Sequence, residues 1–191
     1  MKDIVNHINS LILALGILPK DRIHGVCEQM RKQSNDGEQV FPAQFVLGST
    51  KPRHLPKGEY AYHRQVAPAT QSRSDTVING IDRTWPMRMG ALIFRSRYKG
   101  KDDAYLPELV ASTFANAITL TLPTIKDCDD NGIKWRVREV FVERINSDRH
   151  TAWIEEFQNI GDEPGFDKIF FTLDYIITAS GGVDCLPSAC D

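Results

Sequence analysis

The sequence lacks an apolar run long enough to cross a membrane as a helix, which takes about 20 residues. The longest candidate, residues 8–18, is interrupted by Asn9, Ser10 and Gly16. No basic region followed by an apolar block and a small-residue cleavage site opens the chain, so no secretory signal is expected. We therefore expect a soluble protein that is made in a reducing cytoplasm and contacts no membrane, with its four cysteines as free thiols.

A strong charge of either sign is also missing. The 191 residues carry 23 Lys and Arg against 25 Asp and Glu, which gives a net charge of −2. Dedicated nucleic-acid-binding domains usually have a large basic excess, so this composition argues against one. With 41% hydrophobic residues the chain can bury one ordinary core, and a single domain over residues 1–191 is expected.

The common motifs of catalysis and nucleotide binding are absent. No G-x-S-x-G, G-x-x-x-x-G-K-[ST] or G-x-G-x-x-G segment occurs, and no nucleophile, base and orienting group form a recognisable pattern. We therefore expect neither an enzyme nor a bound cofactor. Four histidines in polar settings are expected to be solvated: His7, His54, His63 and His150.

Two patterns leave a metal site as an alternative. Residues 127–132, D-C-D-D-N-G, begin like a calcium loop, but the twelfth position holds arginine where a bidentate glutamate belongs. A loosely spaced set of four soft zinc ligands comprises His24, Cys27, Cys185 and Cys190. A polar loop and free thiols explain both patterns, so no metal site is expected.

Helical periodicity predicts two helices. The first begins near Asp3, a good capping residue, and ends at Gly16 and Pro19. The second covers residues 106–120, with Pro107 in its first turn. Both have one apolar stripe, which predicts that each packs one face against a core.

Period-two alternation predicts four strands, at residues 40–47, 85–98, 133–142 and 167–178. In the third strand the alternation slips near Glu139, which predicts a β-bulge. Residues 31–39 are polar and rich in turn formers, and are expected to form a turn region.

Residues 48–84 are predicted to form a mildly basic extension between the first and second strands, because they offer few apolar side chains. Residues 60–66 are predicted as one arm of a hairpin, with Val77 and Ile78 on the return. We expect the extension to be mobile in a free subunit and ordered in an assembly. The tail at 180–191 is predicted to be flexible.

These elements predict an α+β domain of order α-β-β-α-β-β, with two helices on one face of a mainly antiparallel four-stranded sheet. The predicted core residues are Leu11, Leu15, Phe45, Phe114, Ile118, Trp135, Leu173 and Tyr175. The opposite face of the last strand carries Phe170 and Ile176 and is too apolar to be merely solvated.

A basic stripe of Lys134, Arg136 and Arg138 is the one charged feature with a defined geometry, since alternate residues of a strand share a face. A solvated sheet face explains it, and so does a contact with another subunit or with DNA in a channel. The sequence leaves these interpretations open.

The layout resembles the tail-terminator family of long-tailed bacteriophages, the lambda-type neck proteins that cap a finished tail tube. The resemblance rests on the first helix, on F-P-A at 41–43 and F-V-L-G at 45–48, and on T-W at 84–85, which enters the second strand. It continues through the helix at 106–120 and the closing L-D-Y-I-I-T at 173–178. The α+β body carries it, and the extension and the tail are additional to the family pattern.

The resemblance implies a virion protein without catalysis that forms a homo-oligomeric ring, commonly a hexamer, on the head-proximal end of the tail tube. The implied partners are the tail tube protein and the head-to-tail connector proteins, with DNA passing through the channel without sequence-specific binding. Interface candidates are Arg53, Tyr60, Tyr62, Arg64, Lys134, Arg136, Arg138, Phe170 and Ile176. The alternatives are another head-to-tail connector or tail-tube protein, or a small metal-binding module or enzyme.

Overall fold

The computed structural model describes residues 2–34, 37–44, 52–55, 58–73, 80–98, 105–119, 122, 124–125, 132–146 and 168–182. Its helices are α1 (Lys2–Ala14) and α2 (Leu106–Ile118), with 3-10 turns at Lys20–Arg22 and Arg95–Tyr98. The strands before α2 are β1 (Ile23–Val26), β2 (Glu28–Ser34), β3 (Gly37–Gln44), β4 (Arg53–His54), β5 (Tyr60–Gln65), β6 (Thr70–Arg73) and β7 (Gly80–Phe94). After α2 follow β8 (Thr124–Ile125), β9 (Ile133–Asn146) and β10 (Lys168–Gly182).

The described strands form two sheets. The large sheet has seven strands in the order β1-β5-β7-β10-β9-β8, and β6 also pairs with β7. Its β1 and β5 are parallel, and its other neighbours are antiparallel. The small sheet is antiparallel, in the order β2-β3-β4.

The predicted four-stranded α-β-β-α-β-β fold is wrong, because the structure is mixed α and β with more strands in two sheets. The expected turn region at 31–39 lies mostly in the β2–β3 hairpin. The expected extension at 48–84 includes β5, which pairs with both β1 and β7 inside the large sheet. The predicted return at Val77 and Ile78 lies outside the described residues.

Helix α1 forms where its apolar stripe was predicted and buries Ile4, Val5, Ile8 and Ile12. It ends as expected at Gly16, whose φ of +69° suits glycine, and whose N–H donates to the Leu13 carbonyl. The helix contacts β1 and α2, so it covers one face of the large sheet.

Helix α2 lies on the same face and contacts β9 and β10. Phe114 is fully buried, and its ring meets that of Phe171 edge to face at 5.2 Å. At one end of this core the rings of Trp85 and Trp135 stack at 5.5 Å. Together the two helices and the sheet enclose the main core, which contains five of the predicted core residues: Phe114, Ile118, Trp135, Leu173 and Tyr175. Leu11 and Leu15 are half-buried, and Phe45 lies outside the described residues.

A second, smaller core lies on the opposite face of the large sheet. It comprises Cys27, Leu55, Tyr60, Tyr62, Leu92 and Phe170. Gly90 makes room for it, because a Cβ added there would lie 2.7 Å from the ring of Tyr62, its cross-strand neighbour. One end of this face is therefore covered within the chain. In the described part of the chain, neither helix is long and apolar enough to cross a membrane.

Candidate assembly surface

At the other end of that face no described helix packs on the sheet, and this part forms the candidate surface. We call it the outer surface, and it consists of Lys134, Arg136, Arg138 and Phe141 on β9, Ile176, Thr178 and Ser180 on β10, Thr84 and Pro86 on β7, and Thr70 and Ser72 on β6. Strand register places these residues in rows that run across the sheet, since alternate residues share a face. The two helices cover the opposite face, so among the described elements this surface is the side of the large sheet without a helix on it.

The predicted basic stripe lies on the outer surface as three exposed side chains. Lys134 pairs with Ser180, Arg136 with Thr178, and Arg138 with Ile176. In the part of the chain that the structure describes, no carboxylate forms an ion pair with any of the three cations. Their charges are therefore available to a partner.

A charged cluster bounds the outer surface toward the small core. Arg88 on β7 donates two hydrogen bonds to Asp174 on β10, at 2.5 and 2.6 Å, and lies 3.7 Å from Glu143 on β9. Arg64, on β5, is the cross-strand neighbour of Arg88. Asp174 and Glu143 therefore neutralise Arg88 in the middle of the sheet, so this cluster has a structural role.

The predicted bulge near Glu139 is confirmed and shapes the outer surface. The β9–β10 register shifts between the pairs Arg138–Ile176 and Phe141–Asp174, and Glu139 has a φ of +54°. The extra residue inverts the alternation, so Phe141 shares the outer face with Arg138. Phe141 is 50% exposed, which is unusual for a phenylalanine.

The predicted interface residues do not all lie on one surface. Tyr60, Tyr62 and Phe170 belong to the small core, so the expectation that they lie on an outward surface is wrong. Arg64 is half-buried within the sheet, and Arg53 is exposed on β4. The basic stripe and Ile176 do come together, beside Phe141, which the sequence analysis did not select. The break in alternation at Glu139 was the sequence signal that could have identified Phe141. It inverts the alternation and so places Phe141 on the face away from the core.

In the described part of the chain, most of one edge of strand β9 is unpaired. Among the described residues, β8 pairs with β9 only opposite Ile133 and Lys134. The rest of β9, on the side away from β10, pairs with no described strand. An open edge of this length presents backbone donors and acceptors to another chain.

The buried histidine His63 is the strongest candidate for chemistry elsewhere in the molecule. Its Nε2 lies 2.8 Å from the Asn9 Oδ1 and its Nδ1 lies 2.7 Å from the Tyr175 hydroxyl. Because the Asn9 amide donates to the His24 carbonyl at 3.1 Å, Nε2 carries the proton and Nδ1 accepts from Tyr175. Burial lowers the pKa of His63 to about 3 and raises that of Tyr175. All three side chains have hydrogen-bond partners, so the network positions α1 on the sheet. The expectation that His63 is solvated is therefore wrong.

The residues proposed for metal binding do not form a site in the described ranges. Cys27 is buried, and burial raises its thiol pKa to about 12, which opposes the thiolate that a metal needs. His24 is half-buried, and burial, with Arg53 and Arg22 nearby, lowers its pKa. No group of three or more His, Cys, Asp or Glu is placed to hold an ion in these ranges. The calcium-like loop at 127–131, Cys185 and Cys190 lie outside the described residues.

Comparison with protein-family models gives no match for this chain, and comparison with curated protein sequences gives none either.

Proposed function

We propose that this chain is a structural subunit of the neck of a tailed bacteriophage. It forms a homo-oligomeric ring, a hexamer by analogy with tail terminators, that caps the tail tube, stops its polymerisation and joins the tail to the head. Its partners are other copies of itself, the tail tube protein and the head-to-tail connector proteins, and its site of action is the virion. The proposal assigns it binding surfaces rather than an active site.

The observation that carries this proposal is the combination of the outer surface with the open edge of β9. Exposed Phe141 and half-exposed Ile176 lie beside three cations, and aromatic and arginine side chains are enriched at protein interfaces. The adjoining edge offers backbone hydrogen bonds to a second chain. A surface of this kind favours association with other subunits.

The segments that carry the family resemblance add support. The first helix is α1, T-W at 84–85 lies within β7, and L-D-Y-I-I-T at 173–178 lies within β10. A ring of identical subunits uses two different patches on each subunit, so the β9 edge and the Phe141 end of the outer surface of one copy meet another patch of its neighbour.

The test is the assembly state of the purified chain. We expect a ring in native mass spectrometry and sedimentation velocity, and we expect Phe141→Asp to dissociate it, because a charge buried unpaired at an interface is costly. The matched control is Leu109→Asp on α2, since Leu109 is 53% exposed and lies on the helix-covered side of the sheet. Phe170 is unsuitable for this test because its loss disrupts the small core.

Circular dichroism and urea unfolding establish that both variants are folded. A wild-type chain that stays monomeric at tens of micromolar contradicts the proposal. So does a Phe141→Asp variant that assembles as well as Leu109→Asp.

A further inference from the structure

We propose that the basic end of the outer surface binds the phosphate backbone of duplex DNA. The residues involved, which we call the phosphate surface, are Lys134, Arg136 and Arg138 on β9 with Thr178, Ser180 and Thr84 on β10 and β7. This inference rests on the proposed function, because a neck ring surrounds a channel through which DNA passes.

The three cations have a spacing that suits a nucleic-acid strand. Alternate residues of a β-strand lie about 6.6–6.8 Å apart, and a DNA strand advances about 3.4 Å along its axis per phosphate. Lys134, Arg136 and Arg138 therefore span about 13 Å, which is the axial rise of about four base pairs. All three are exposed, so a duplex lying on this face can bring phosphates to each of them.

Hydroxyl groups continue the surface across the neighbouring strands. The row that begins at Arg136 contains Thr178, Thr84 and Thr70, and the row that begins at Lys134 contains Ser180, Asp82 and Ser72. Arginine, lysine, serine and threonine are the side chains that most often contact phosphate oxygens. The sheet thus presents cations along one strand and neutral donors beside them.

Among the described residues, one carboxylate lies in the rows that begin at Lys134, Arg136 and Arg138, that of Asp82. Asp82 is half-buried and is the cross-strand neighbour of Ser180. It lies two strands from Lys134, a distance of about 9.5 Å, or about one Debye length at 0.1 M salt. Asp174 and Glu143, on the adjacent part of the face, are engaged with Arg88.

The composition of the rows favours a duplex over a single strand. Single-stranded nucleic acid is held by several aromatic rings that stack on successive bases, whereas these rows contain none on the described strands and only Phe141 lies beside them. Because the whole chain has a net charge of −2, its attraction to DNA is confined to the phosphate surface. A local attraction suits DNA that must move past the protein.

The test measures binding of a fluorescent 30-base-pair duplex by anisotropy at rising salt. The variant Lys134→Gln/Arg136→Gln/Arg138→Gln removes the three cations, and the control Lys2→Gln/Lys20→Gln/Arg73→Gln removes three exposed cations outside the phosphate surface. Loss of three phosphate contacts should lower the slope of log K against log salt by about 2.7 per subunit. Between 50 and 200 mM salt, the wild type and the control should lose about 40-fold more affinity than the variant.

The assembly state is measured on the same samples, so that the two proposals can fail separately. Arg136→Lys/Arg138→Lys should keep the wild-type slope, because it keeps the charges. Equal slopes for the triple variant and its control overturn the inference. A triple variant that binds DNA normally but no longer forms a ring also overturns it, since the cations would then contact another subunit. A wild-type monomer that binds DNA through these three cations supports the inference and contradicts the ring.

Discussion

At the scale of single residues, His63 shows how a polar side chain can be buried without a charged partner. Its two ring nitrogens are matched to Asn9 and Tyr175, so the neutral imidazole loses no hydrogen bond in the core. A protonated ring would carry a second donor, which faces a hydroxyl that already donates, and its charge would be desolvated. The fold therefore favours neutral His63.

We predict that the free energy of unfolding falls as the pH drops from 7 toward 5. Burial holds the pKa of folded His63 at about 3, whereas the unfolded side chain has a pKa near 6.5. The unfolded state therefore binds the proton first, so the contribution is complete above pH 6.5 and is lost as the pH falls below it. The loss is at most about 1.4 kcal/mol per pH unit for one group.

Urea unfolding at pH 7, 6 and 5 measures this dependence. The variant His63→Gln, which does not titrate, should reduce the dependence of the free energy of unfolding on pH. The dependence that remains includes the contribution of His24, whose pKa is also lowered. An unfolding free energy that is constant from pH 7 to 5 would show that His63 is protonated in the fold.

The burial of His63 could not be predicted from its sequence neighbourhood. Its hydrogen-bond partners lie 54 and 112 residues away along the chain. The neighbours Arg64 and Gln65 suggested solvent, and only the position of β5 inside the sheet reverses that inference. Phe114, Leu173 and Tyr175 were predicted correctly because their apolar periodicity is local.

At the scale of elements, α2 offers a direct test of its predicted buried face. Phe114→Ala should reduce the free energy of unfolding by about 3–5 kcal/mol, because it leaves a cavity against Phe171. Leu109→Ala, on the exposed side of the same helix, should change it by less than about 0.5 kcal/mol. Comparable losses for the two variants in urea unfolding would mean that the helix packs through another face.

The bulge in β9 provides a second test at this scale. Glu139 has a φ of +54°, a conformation that is sterically unfavourable for residues with a Cβ and readily adopted by glycine. Glu139→Gly should therefore be neutral or stabilising, although glycine within a regular strand costs about 0.5–1 kcal/mol. Glu139→Val should be the less stable variant, since a β-branched residue is disfavoured at positive φ. The reverse order in urea unfolding would place the bulge elsewhere.

The elements also show where sequence patterns stop being informative. β7, β9 and β10 alternate clearly and were predicted, as was the bulge. β2 was not, because Met30 is its one apolar residue, and a polar strand resembles a loop in sequence. The segment at 48–84 was read as an extension because its apolar residues are few, yet Tyr60 and Tyr62 are concentrated in one buried strand.

At the scale of the whole molecule, the outer surface results from the order of the strands. Residues far apart in sequence, such as Thr84, Arg136 and Thr178, come together only because β10 lies between β7 and β9. The basic stripe could be predicted from its alternation in the sequence, but the hydroxyl rows could not, because they depend on register between strands. The proposed ring and the proposed DNA contact both depend on this arrangement.

The most direct measurement of the central claim is the length and attachment of tails in a phage whose genome encodes this chain. Electron microscopy of particles made without the functional protein should show overgrown tails or tails not joined to heads, and supplying the protein should restore normal virions. Tails of normal length that join heads normally in its absence would contradict the assignment to the neck.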